Sequence, residues 1–231
     1  MTRQLYVKRY ADPARCAAAL ANYRWLASLD SGIRMPALHE AGPTHLAFEH
    51  LGDRQPGPDQ LPVVAAALGT LHATAHTRQL HGAPLDQPFT TPDGLRIDDF
   101  VTERRRVLQQ VPLELDGLPA TLYKDSNVRN FLLTDDGVAV IDFDDVTLAP
   151  FGYDLAKLIV ATAMTHGRPS LTAITAALDT YNRCVAEAVG IAAACPLRRL
   201  RAFAEMHHVL TAGYLHRNGY RHAWPDVTPW R

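Results

Sequence analysis

An α+β fold follows from three features of the sequence. Strand-like runs cluster ahead of residue 52, a tight hairpin sits past the middle, and helical patterns dominate the remainder. Gln4–Tyr10, Pro36–His39 and His45–Leu51 supply the early strands. Phe131-Leu132-Leu133 and Val138–Ile141 are apolar runs joined by Thr134-Asp135-Asp136-Gly137, whose Asp-Gly pair offers the positive φ that a tight hairpin needs. Helices are expected over Asp154–Met164, Leu171–Val189 and Pro196–Leu215.

Composition narrows the class. A chain of 231 residues with 47% hydrophobic content fills one large domain or two small lobes. A net charge of −1 gives no general electrostatic case for binding nucleic acid or an anionic membrane. No stretch approaches the ~20 apolar residues of a spanning helix, and Met1-Thr2-Arg3-Gln4 leads into a strand, so the chain reads as cytoplasmic. Cys16, Cys184 and Cys195 form no C-x-x-C pair and read as reduced, packed thiols.

In chain order, the first strand carries Val7-Lys8. Asp12-Pro13 then opens a helix, a capping side chain followed by Pro at the first helical position, which runs to about Leu29 with Ala17, Leu20, Ala21, Trp25 and Leu26 on its apolar face. Its interior holds no acid. Gly52–Pro62, rich in Gly and Pro, reads as a linker, and a helix starts at Leu61 and passes Leu68, Leu71-His72 and Ala75. His72 and His76 lack a third ligand and read as packed side chains. Gly82–Gly94 contains three prolines and reads as an extended loop. Asp98–Gln110 reads as a charged amphipathic helix with Arg104-Arg105-Arg106 on a solvated face. Tyr214–Trp224 mixes aromatic and basic groups in a packed tail.

The chemistry is sought around the hairpin, in Leu122–Asp145. An antiparallel pair brings its open ends together, so a loop ending at Asn130 and one beginning at Asp142 emerge side by side. Asp125 stands five positions before the Asn, in a D-x-x-x-x-N spacing. Phosphoryl transfer requires such a set: one carboxylate to accept a hydroxyl proton, and hard oxygen ligands for Mg²⁺.

Tyr123-Lys124-Asp125, Asn130, Asp142-Phe143-Asp144 and Phe151-Gly152-Tyr153-Asp154-Leu155-Ala156 together resemble the aminoglycoside phosphotransferase and choline kinase-like family, whose fold is protein-kinase-like. The family's catalytic loop usually reads H-G-D-x-x-x-x-N; here Tyr and Lys replace His and Gly while Asp and Asn keep register. The resemblance implies two lobes. Residues 1–52 would form a truncated, β-rich N-terminal lobe, 53–62 the hinge, and 63–231 a mainly helical lobe carrying the catalytic hairpin at 122–145.

It also implies an ATP- or other NTP- and Mg²⁺-dependent phosphotransferase acting on a hydroxyl of a small molecule or peptide. Asp125 would be the catalytic base, Asn130 and Asp142 the metal ligands, and Asp154 a structural brace. Lys8 would contact the α- and β-phosphates, and the Glu49 and Leu51 backbone would meet the adenine. Lys124 and Arg129, beside the base, are candidates for phosphate contacts. Two departures stand out. The helix glutamate that usually pairs with the lysine is missing, and no Gly-rich loop precedes the lysine strand. Two alternatives therefore stay open. Either the chain is an active kinase whose cleft is open-topped or is covered by another element, the C-terminal tail around Arg217–Trp224, a second copy or a protein partner, or it is a pseudokinase that binds or scaffolds through the same cleft.

Overall fold

Asp12 accepts a hydrogen bond from the Ala14 N–H at 2.9 Å, and Pro13 fixes the first helical φ, so the chain turns directly from strand into helix. This is the start of a computed structural model that describes residues 4–111 and 113–230. The three residues expected ahead of the first strand, 1–3, lie outside it. Strand β1 (Leu5–Arg9) precedes helix α1 (Pro13–Ser28), and β2 (Leu38–Ala41) and β3 (His45–Glu49) follow. The sheet order is β1-β3-β2, all antiparallel, with Lys8 opposite Leu46. One edge of β1 has no strand partner among the described residues, and Leu5, Tyr6 and Val7 there are exposed.

Helix α1 buries Cys16, Ala19, Trp25 and Leu26. Its Tyr23 meets Phe48 of β3 edge-on at 5.3 Å and Phe143 at 5.1 Å. Phe143 is thus the apolar plug between helix, sheet and the rest of the chain, and inserting it orients the acids on either side, Asp142 and Asp144.

Beyond the sheet, Pro58–Gln60 forms a short turn into α2 (Leu61–Ala75). A small hairpin, β4 (Phe89–Thr90) with β5 (Arg96–Ile97), interrupts the stretch expected to be a loop. Helix α3 (Arg105–Gln110), β6 (Ala120–Tyr123), β7 (Phe131–Thr134), β8 (Gly137–Val140) and β9 (Thr147–Pro150) follow, with β6 paired to β9 and β7 to β8. The hairpin turn is Asp135-Asp136, and Gly137 takes the positive φ of 118°. The chain ends in α4 (Tyr153–His166), α5 (Leu171–Val189), α6 (Leu197–Thr211) and α7 (Trp224–Val227).

Helix α4 is the centre of this larger lobe, buried from Tyr153 to Met164 and packed against α6. Two glycines allow close approach. A Cβ at Gly69 of α2 would press on the Tyr181 carbonyl of α5 at 3.0 Å. Gly152, at φ +90°, turns the chain into α4, and a Cβ there would overlap the Cys195 Sγ.

One element departs from expectation. Asp98–Gln110 is helical only from Arg105, because its first half is taken by tertiary bonds. The Asp98 carbonyl accepts the Leu148 N–H of β9, which keeps the chain extended there, and Asp99 Oδ1 then accepts from the Val101 and Thr102 N–H groups to turn it toward the helix. Arg104 is not on a solvated face: it is buried, donates to Tyr153 Oη at 3.0 Å, and lies over the Phe100, Tyr123 and Tyr153 rings. Arg105 and Arg106 are exposed as expected. His72 and His76 are both buried and bonded, to Tyr181 Oη and the Ala120 carbonyl, which rules them out as a ligand pair.

Candidate active site

The loop after β6 is shaped by one acid. Asp154, in the first turn of α4 and fully buried, accepts the Lys124 N–H at 3.2 Å and the Ser126 N–H at 2.8 Å. Burial pushes its carboxyl up, but His72, 3.5 Å away, together with Lys124 and the Ser126 N–H, outweighs burial and holds it below the usual carboxylate range. With the amides on both sides fixed, Asp125 between them sits at φ +55°, a conformation an ordinary residue adopts only under constraint.

Hydrogen bonds then bring the other two candidates alongside. Asn130 Nδ2 donates to the Asp125 carbonyl at 2.8 Å, and the Ile141 N–H donates to the Asn130 carbonyl at 3.0 Å, joining the loop to the hairpin's open end. Asp142 follows at φ +66°.

Lys8 reaches this point across the lobe boundary. Its Nζ lies 2.6 Å from Asp142 Oδ1 and 2.7 Å from Asp144 Oδ1, and Tyr10 Oη donates to the same Asp144 oxygen at 2.9 Å. Burial pulls the Lys8 ammonium down, yet the bonds to Asp142 and Asp144 prevail and hold it above the ordinary lysine range. The same contacts hold the Asp142 carboxyl low against its burial. Helix α1, which has no acid, contributes Asn22 instead: its Nδ2 donates to the Phe143 and Asp144 carbonyls at 3.0 and 3.2 Å. The partner that Lys8 lacks on the helix is therefore Asp144, held in place by that helix. The sequence signal for it was present, since Asp144 closes the Asp-Phe-Asp tripeptide, whereas nothing local marks Asn22 or Tyr10.

A cleft of about 420 Å³ lies between the lobes, lined by Lys8, Glu49, Leu51, Arg129, Asn130 and Asp142, among others. Tyr6 on β1 and Tyr10, just past its end, line the same cleft on either side of Lys8. The Glu49 carboxylate pairs with Arg34 at 2.6 Å, while the Leu51 backbone makes no hydrogen bond among the described residues. Lys124 departs from its expected place. It is 1% exposed, its Nζ donates to the Ile141 carbonyl at 3.1 Å, and it lines neither the interlobe cleft nor the two clefts that Asp125 faces. The catalytic-loop position it fills is one where the resemblance expects Gly.

Asp125 opens the other way, into two clefts of about 490 and 340 Å³ that share Tyr123, Asp125 and Leu210. The larger carries Asp98, Glu103, Asp144 and Asp145 against Arg96 and Arg104, with Arg96 3.4 Å from Asp98, and is acidic on balance. Burial and the neighbouring Asp125, Asp144 and Asp142 raise the Asp145 carboxyl above its ordinary value. The smaller holds Arg129, Lys157, Tyr214 and Tyr220.

For a metal, Asp142 and Asn130 offer hard oxygens facing one cleft, and the bond from Asn130 Nδ2 leaves its Oδ1 as the acceptor. Among the described residues no three His, Cys, Asp or Glu side chains form a cage. The carboxylate and amide oxygens of Asp142 and Asn130 are the kind of hard donor that Mg²⁺ takes. Also among the described residues, no helix is long and apolar enough to cross a membrane.

The model of the phosphotransferase enzyme family matches residues 2–187. No curated protein matches the sequence. Among solved structures, the choline kinase of Streptococcus pneumoniae is similar with a TM-score of 0.59 at 14% identity, covering 100% of this chain and 84% of its own. An amicoumacin kinase in complex with AMP-PNP and Ca²⁺ gives 0.59 at 15%, covering 92% and 73%. The macrolide 2'-phosphotransferase of Brachybacterium faecium gives 0.56 at 17%, covering 92% and 77%. At such identities the likeness carries the fold, which is kinase-like: a small lobe built on a β-sheet and a larger helical one.

Proposed function

Because the chain belongs to the phosphotransferase enzyme family, we propose that it moves the terminal phosphoryl group of ATP, or of another nucleoside triphosphate, onto an alcohol. The observation that carries this reading is the division of three oxygen-bearing side chains at one point: Asn130 and Asp142 face the interlobe cleft, and Asp125 faces the clefts opposite.

In this reading the Glu49–Leu51 segment meets the base, Lys8 meets the phosphates, and Asp142 with Asn130 holds Mg²⁺. When bound, that ion would neutralise charge on the β- and γ-phosphates. Asp125 takes the acceptor's hydroxyl proton, and Arg129, which lines both the donor cleft and the smaller acceptor cleft, stands beside the transferring group. The acidic wall of Asp98, Glu103, Asp144 and Asp145 favours an acceptor bearing positive charge. The setting is the cytoplasm, where nucleoside triphosphate is supplied.

A thermal-shift titration tests the reading: saturating ATP at 100 Kd stabilises the fold by about 2.7 kcal/mol, and only with Mg²⁺ present. No shift at millimolar ATP and Mg²⁺ would contradict it. A shift of equal size without Mg²⁺ favours the second reading, a binding protein without turnover, for which the observation is that Lys8 already occupies Asp142 Oδ1 in the resting cleft.

The substitute partner of Lys8 yields its own expectation. Asp144→Ala removes one of two carboxylates that orient the ammonium, and a loss of about 1 kcal/mol, roughly fivefold in Kd for ATP, is expected in calorimetry. Unchanged affinity would show that Asp142 alone positions Lys8.

A further inference from the structure

Asp125 is held from behind by two groups that lie outside the catalytic motif. Tyr123 Oη donates to its Oδ1 at 3.1 Å, and Lys157 Nζ lies 3.2 Å from that same oxygen. Lys157 stands on α4 three residues after Asp154, one helical turn along the same face. The helix that fixes the loop backbone through Asp154 thereby also brings an ammonium to the carboxylate.

The Lys157 side chain is 9% exposed. Its Nζ sits 5.9 Å from the Tyr220 ring centre, supplied by the tail that returns along the Arg221 and His222 bonds to the Met164 carbonyl. Tyr220 Oη in turn accepts from Asn127 Nδ2 of the catalytic loop at 3.1 Å. A burial of this depth is costly for a lone lysine. Here Asp125 and Tyr220 more than offset it, so the ammonium stays charged beside the base.

Both contacts fall on Oδ1, and no other side chain bonds to Asp125 among the described residues. The carboxylate faces Asp144 and Asp145 on one side and Arg129 on the other.

Resting on the phosphotransferase reading above, we infer that Lys157, with Tyr123, is a positioning residue that commits Asp125 Oδ1 and presents Oδ2 to the acceptor. The step it serves balances as follows. The acceptor's O–H bond breaks and its proton moves to Asp125 Oδ2, while the acceptor oxygen forms a bond to the γ-phosphorus. The bond from that phosphorus to the bridging oxygen breaks, and the nucleoside diphosphate leaves with the electron pair. Lys157 keeps its proton throughout.

The test uses the full chain with ATP, Mg²⁺ and water as the acceptor, read as phosphate release. Lys157→Met keeps the apolar bulk and removes the charge; Lys157→Arg restores the charge; Tyr123→Phe removes the second contact without disturbing the helix. Displacing a positioned group by an ångström costs up to about 10²-fold, so kcat is expected to fall about 10- to 10²-fold in Lys157→Met with KM for ATP unchanged. Lys157→Arg should recover part of that loss. Tyr123→Phe should lower kcat by a smaller factor, which keeps the claim testable if the buried Met variant does not fold. In an Asp125→Asn background, Lys157→Met should have no further effect, because the group it positions is gone. A kcat within twofold of wild type in Lys157→Met, or an equal loss with and without Asp125, overturns the inference alone. A wild-type chain that neither binds nor turns over ATP overturns the phosphotransferase reading, and this inference with it.

Discussion

Asp125→Asn is expected to lower kcat by about 10²–10⁴-fold while leaving ATP affinity within about twofold of wild type. The two effects separate because Asp125 is absent from the wall of the 420 Å³ interlobe cleft and present on both clefts opposite it. The amide keeps the shape of the carboxylate and an oxygen that still accepts from Tyr123 and Lys157, but it removes the charge that offsets the burial of the Lys157 ammonium, so a lowered melting temperature is expected beside the kinetic loss. What the amide cannot do is take a proton. Steady-state kinetics on the cationic alcohol that turns over best in a screen, with ATP binding measured separately, gives both quantities. A variant that turns over within threefold of wild type would remove Asp125 from the chemistry, and one that loses ATP binding would move it to the donor side.

Asp154→Ala is expected to cost about 3–5 kcal/mol of stability, the magnitude for removing one partner from a buried charge cluster. Four groups lose their acceptor or counter-charge at once: the His72 ring, the Lys124 and Ser126 amides and the buried Lys124 side chain. For a chain of this length the melting temperature should fall by roughly 10 °C. The pH dependence has a defined sign. The folded carboxyl lies below its unfolded value of about 3.9, so its contribution is present above that pH and is lost as the pH falls through the lowered folded value. A melting temperature within 2 °C of wild type would show that the loop holds its shape without this brace.

The elements with local signals were legible from the sequence. Asp12-Pro13 marks the start of α1, and the helical run over Leu171–Val189 coincides with α5. The meeting of Asn130 and Asp142 followed from hairpin geometry alone, because both flank one antiparallel pair. What escaped is non-local. Lys8 finds Asp144 across 136 residues, and the Asp98 carbonyl that holds the chain extended ahead of α3 accepts from Leu148, on a strand fifty residues on. Lys124 looks like a loop cation by sequence, but the chain around it closes to leave 1% exposed, which only the packing of β7 and the Ile141 carbonyl dictates. Lys157 carried no sign at all, since a lysine on a helix reads as surface until the helix is seen to be buried.

The central claim is that one acid holds the metal and nucleotide while the other serves the acceptor, and calorimetric titration of ATP into wild type and Asp142→Ala, each with and without Mg²⁺, tests it most directly. The account predicts Mg²⁺-dependent binding in wild type that disappears in Asp142→Ala, with the melting temperature of the variant near that of wild type because the Asp142 side chain is 40% exposed. Mg²⁺-dependent affinity that survives unchanged in Asp142→Ala would contradict it.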